Sequence, residues 1–126
     1  MEELRPSEAD AFIERFGAFG DAVVRAVDFD LRRSTVTIDL EAQDGQDNQW
    51  AWRGVCIVVE GLIEWAFTKP ERLDGQVVFE AGIAWDSERA LLSLDTSSAM
   101  SPDRFRNSAL YFGGATIRYE VSPLSV

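Results

Sequence analysis

The sequence predicts an α+β fold of mainly antiparallel β structure: a short N-terminal helix, then a meander of about seven or eight strands forming a curved sheet, a sandwich or a partly open barrel. Three observations predict it. Apolar residues alternate with polar ones in the hairpin region, over 76–86 and over 116–121. Turn-forming residues interrupt these runs at short intervals. Only one segment, near the N-terminus, reads as a helix without a competing strand pattern. No long helical pattern separates the strands, so a parallel βαβ arrangement is not expected. With 126 residues, the chain is expected to form one domain, 1–126, long enough to bury a real core. An apolar content of 46% is that of a folding chain rather than a disordered one.

Residues 1–6 are expected to fray. Residues 7–16 read as a helix with Ser7 as its N-cap and Asp10 in the first turn. Phe12, Ile13 and Phe16 form its apolar edge against the sheet, and Gly17 ends it. Residues 23–40 read as a β-hairpin. In an antiparallel pair the opposed position numbers add to a constant, and pairing Val27 with Ile38 puts Phe29 opposite Val36. The other face then pairs Asp28 with Thr37, Asp30 with Thr35 and Ala26 with Asp39, so no two carboxylates are opposed. Arg32-Arg33 lacks the Asn or Gly of a two-residue turn, which predicts a four-residue loop over 31–34.

Residues 43–49 are polar, carry Gly, Asn and Asp, and read as a loop. Residues 50–67 suit a helix face as well as a strand, but β-branched and aromatic residues dominate. Gly61 would cost a helix interior about 1 kcal/mol, so two strands or one broken strand are expected, with the break at Glu60-Gly61. Residues 69–74 form a connection and Asp74-Gly75 a turn. Residues 76–86 read as one strand with Val77, Phe79, Ala81, Ile83 and Trp85 on one face. Residues 90–96 follow as a strand with Leu92 and Leu94 inward, and residues 97–107 as a loop around Pro102. A strand over 108–112, a turn at Gly113-Gly114 and a last strand over 116–121 complete the chain. In that last strand Ile117, Tyr119 and Val121 face inward.

A formal net charge of −10 repels nucleic-acid backbones and anionic membranes, so neither is an expected partner. It suits solubility or a basic partner. The chain has no histidine, which removes the commonest general base, the usual nucleophile–histidine pairs and the commonest zinc ligand. Residues 44–49 lack the ligand spacing of an EF-hand loop, and no phosphate-cradling glycine motif occurs. No enzyme, metal site or cofactor is expected. The single Cys56 lies in an apolar run and reads as a buried, inert thiol. The N-terminus has no basic region followed by an apolar stretch, so a cytoplasmic location is expected. Trp50 and Trp52, beside Asp44 and Asp47, are the candidate partner-binding residues. Read at period 2, the tryptophans share one side of a strand, and the tip combines an aromatic anchor with acidic steering. Packing of both rings at a sheet end is the competing reading.

The run Phe16-Gly17-Ala18-Phe19-Gly20-Asp21-Ala22, the strand after it and the later Val59-Glu60-Gly61-Leu62 resemble small bacterial immunity proteins of polymorphic-toxin systems and related uncharacterised domains. The resemblance runs loosely over 16–121. Gly20 stands where that group usually has histidine, so no role of that histidine carries over. Asp21 matches and reads as a residue bonding backbone amides at the strand start. The resemblance implies a non-catalytic inhibitor that binds and neutralises a co-encoded toxin, and an acidic surface would speed the approach of a basic one. A small-ligand-binding β-rich module stays open as the alternative, as does a monomer against a homodimer.

Overall fold

The computed structural model describes residues 1–68, 80–124 and, for the backbone alone, 76–77. It is a two-sheet antiparallel sandwich, not closed into a barrel, with a short helix near the N-terminus. The elements are β1 (Glu2–Leu4), α1 (Ala9–Arg15), β2 (Val23–Asp30), β3 (Thr35–Asp44), β4 (Ala51–Glu60) and β5 (Glu64–Phe67). They continue with β6 (Gln76–Val77), β7 (Gly82–Asp86), β8 (Arg89–Ser93), α2 (Pro102–Arg106), β9 (Leu110–Gly114) and β10 (Thr116–Pro123). One sheet has the order β1-β10-β4-β3-β2-β6, the other β5-β9-β8-β7. The meander is therefore interrupted. After β4 the chain leaves the larger sheet, builds most of the smaller one, and returns with β10 against the open edge of β4.

The hairpin has the register expected from its cross-strand chemistry: Val27 opposes Ile38, Phe29 opposes Val36, and residues 31–34 form the loop. One feature is additional. Arg25 is a bulge, two residues against one, so Val24 pairs with Leu40 rather than following the simple sum. The bulge turns Val24 inward, where it is buried, and leaves Arg25 exposed. The break between β4 and β5 falls at Gly61 as expected. Its φ of +65° favours glycine, and a Cβ there would lie 2.9 Å from that of Ala115.

Other expectations are corrected. Residues 1–6 do not fray: β1 pairs with β10, Leu4 is buried, and the Tyr119 hydroxyl donates to Glu2 at 2.8 Å. Ser7 is no N-cap, because Pro6–Glu8 form a 3₁₀ turn closed by the Arg5 N–H on Glu8 Oε1 at 3.2 Å. Strand β3 continues through Gln43 and Asp44, and the turn is a 3₁₀ segment, Gln46–Asn48. The strand expected over 76–86 is two, β6 in the larger sheet and β7 in the smaller. Phe79 and the connection over 69–75 lie outside the described residues. Pro102–Arg106 is a helix rather than loop. Gly113 and Gly114 lie inside β9, not in a turn.

The inner face of the six-stranded sheet buries Val36, Ile38, Leu40, Val55, Ile57, Val59 and Ile117. Part of it is covered by α1 and the turn after it, with Phe12 4.6 Å from the Tyr119 ring and Phe16 5.0 Å from Phe19, measured between centroids. The four-stranded sheet adds Ile83, Leu92 and Phe112 to the same core. Along one side of the sandwich Phe29 packs against Trp65, Phe67 and Phe112 at 5.7, 6.1 and 5.9 Å. The four-stranded sheet is also covered by α2, which packs on β7 and β8 and carries Phe105, fully buried and outside the main core cluster. There Arg106 clamps Glu64 at 2.7 Å and Asp86 at 2.5 Å, and Arg89 also pairs with Glu64.

Candidate protein-docking surface

The four residues singled out in the sequence separate into different environments. Asp44 closes the inner face of β3 at its end and is 7% exposed. Arg15, from the last turn of α1, donates two parallel hydrogen bonds to it, Nε to Oδ1 and Nη2 to Oδ2, both 2.8 Å. The Gln46 N–H donates to the same carboxylate at 2.9 Å. The Arg15 guanidinium holds the Asp44 carboxyl below its ordinary value, against an opposing effect of burial. Asp44 thus spends its charge inside the protein. Asp47 is exposed in the turn at φ +67°.

Trp50 precedes β4 at φ +51°, outside the period-2 geometry, and is 45% exposed. Its ring lies over Gly17 and Gly45: a Cβ at Gly45 would sit 2.6 Å from the ring. A hydrogen bond of 2.7 Å from the Gly45 N–H to the Arg15 carbonyl holds the two loops together beneath it. Trp52 is in β4, opposite Gln43, on the outer face and 41% exposed. The two tryptophans therefore share an end of the molecule but not a strand face. Asp21, at φ +64°, is exposed and makes no side-chain hydrogen bond among the described residues.

The outer face of the six-stranded sheet is a further surface, one that no sequence motif marks. The register places Glu60, Val58, Cys56, Gly54 and Trp52 of β4 on it, between alternate residues of β3 and β10. Asp39, Cys56 and Glu120 form one row across three strands. Cys56 is half-buried here rather than in the core. Partial burial first, then Asp39 and Glu120, push its thiol up to about 11, which keeps it a protonated, poor nucleophile at neutral pH. Its signal was the alternation of carboxylates in the hairpin, Asp28 with Asp30 and Asp39 with Glu41.

Two other places have polar side chains in contact. Ser93 and Ser108 donate to the Asp95 carboxylate, and their oxygens accept the Asp95 and Leu110 amides at 3.1 and 2.9 Å, so both hydroxyls are committed to bonds within the protein. A cleft of about 640 Å³ opens between Gly61, Ile63, Glu88, Arg89, Arg106 and Ala115. Its two arginines are held by Glu64 and Asp86. Among the described residues no helix is long and apolar enough to cross a membrane. Comparison with protein-family models, with curated proteins and with solved structures finds no match.

Proposed function

We propose that the protein is a non-catalytic, immunity-type inhibitor that binds and neutralises a basic protein toxin. The observation that carries this reading is the pair of tryptophans at one end, Trp50 and Trp52, 45% and 41% exposed beside the exposed Asp47. Large aromatic side chains left in water are costly to expose and are the residues most often found at the centre of protein contacts. The net charge of −10 supports a basic partner, because opposite charge raises the encounter rate. The resemblance of residues 16–121 to immunity proteins supports the toxin as that partner.

The test is capture of the product of the adjacent upstream gene, with rescue of growth when both are expressed. Tight binding that weakens with salt, together with rescue, is the expected result. Trp50→Ala and Trp52→Ala should each weaken the complex by at least ~10-fold while moving the melting temperature little. No capture and no rescue would remove the toxin reading. A large fall in melting temperature for Trp50→Ala would make that ring a packing residue over Gly17 and Gly45.

A further inference from the structure

We propose that the outer face of the six-stranded sheet is a docking surface for a cationic protein face, continuous with Trp52 and resting on the reading above. The two faces of this sheet differ sharply. Inner positions of β3, β4 and β10 are at most 2% exposed from Val36 to Leu40, from Val55 to Val59 and at Ile117. The outer positions Thr37, Asp39, Cys56, Val58 and Arg118 are half-buried and Glu120 is exposed, and no element of the described residues packs over them.

The charges on this face are arranged unevenly. Glu41 is held by Arg25 at 2.7 Å, Glu60 by Arg118 at 2.5 Å and Asp30 by Arg33 at 3.8 Å. Among the described residues Asp28, Asp39 and Glu120 have no cation within ion-pair distance. Asp39 and Glu120 flank Cys56, and the neighbouring row is Thr37, Val58 and Arg118. Cys56 thus lies between two uncompensated carboxylates, and Val58, in the next row, lies between Thr37 and the Glu60-paired Arg118; together they make a small apolar strip bordered by neutralised pairs. That is the pattern of an interface: little charge at the centre, complementary charge beside it, polar groups around.

The occupant follows from the same chemistry. Arginine or lysine can lay its aliphatic stem on Val58 and Cys56 and bring its cation to Asp39 or Glu120. Phosphate backbones and anionic membranes are repelled. A second copy of this chain would set the same carboxylates against each other.

Two variants of equal charge change test it: Asp39→Lys with Glu120→Lys on the face, and Glu14→Lys with Asp103→Lys on the two helices. Binding of the adjacent-gene product is measured at about 50 and about 200 mM salt. The face variant should lose on the order of 100-fold at low salt and show a flatter salt dependence, while the helix variant changes less than about threefold. Equal losses, or no loss, would overturn the proposal. A thermal melt of each variant checks that the fold is kept, and Asp39→Asn with Glu120→Gln should give a smaller loss in the same direction. An arm independent of the toxin titrates the isotope-labelled protein with the basic protein cytochrome c. Amide shifts confined to β3, β4 and β10 support the face; scattered shifts, or shifts elsewhere, overturn it. If the face responds but the adjacent-gene product does not bind, the toxin reading fails and the docking face stands.

Discussion

Arg15 and Asp44 tie the last turn of α1 to the end of β3 through two parallel hydrogen bonds of 2.8 Å each, across 29 positions of sequence. The same junction carries the Gly45 N–H bond to the Arg15 carbonyl and the Trp50 ring above it. Asp44→Asn keeps the shape but removes the charge that faces the guanidinium. The Arg15 side chain is still 27% exposed and also donates to Gln46, so water takes up part of the loss. The expected cost is about 1–3 kcal/mol, read as a lower urea midpoint with an unchanged slope.

The same pair makes stability depend on acid. Asp44, Glu60 and Glu64 are each held below their ordinary carboxyl values, chiefly by hydrogen bonds from Arg15, Arg118 and Arg106 respectively. A carboxylate whose folded value lies below its unfolded one adds stability that is complete above the unfolded value and is lost as pH falls through the folded one. Unfolding free energy should therefore be level above about pH 5 and fall below it. The gap between the native protein and Asp44→Asn should narrow along that acid limb. A gap of constant size down to about pH 2 would show that the Asp44 charge adds nothing.

The hairpin register was legible because both of its faces agree: moving Val27 away from Ile38 would set valines against aspartates. The bulge at Arg25 was not legible, since Val24 and Arg25 fit either face until Leu40 is placed opposite Val24. Helix α2 was not legible because it is one turn and a half of polar sequence with a single buried residue, Phe105, and its stability comes from the sheet beneath it. Gly113 and Gly114 read as a turn because glycine punctuates chains. In the fold they serve close packing: a Cβ at Gly113 would lie 2.8 Å from Leu91, and one at Gly114 2.5 Å from the Glu60 carbonyl. At the candidate site, the exposure of Trp52 was one of two readings that its position beside a polar loop allowed. The burial of Asp44 did not, because its partner is contributed by a distant helix.

Phe105 is the one buried residue of α2, which packs on β7 and β8 of the four-stranded sheet. Phe105→Ala should cost about 3–5 kcal/mol. The loss should be local first. Amide exchange should quicken from Arg104 to Ser108 before it quickens in β4, whose core lies on the other side of that sheet. Arg106→Met should loosen the same segment while leaving Phe105 in place, by releasing Glu64 and Asp86. Equal exchange across α2 and β4 in the Phe105 variant would mean that the helix and the main core unfold as one unit.

Gly82 opens β7 where the backbone of residues 96–98 passes over it. The Ile83 N–H next to it donates to Ser98 Oγ at 2.9 Å, which fixes the loop against the strand. A Cβ at Gly82 would meet the Thr96 carbonyl and lie 2.5 Å from the Ser98 nitrogen, both backbone atoms that cannot rotate away. Gly82→Ala should therefore destabilise the protein by about 1–3 kcal/mol through overpacking. The displaced loop should also lose its bond to Ile83, so the Ile83 amide should exchange faster relative to Leu92, its cross-strand partner. Gly54, whose Cβ would meet only the Ser122 side chain at 3.1 Å and its carbonyl at 3.7 Å, is the control. Gly54→Ala should change stability less than Gly82→Ala in the same urea titration, and the reverse order would show that the loop over β7 yields more readily than its geometry implies.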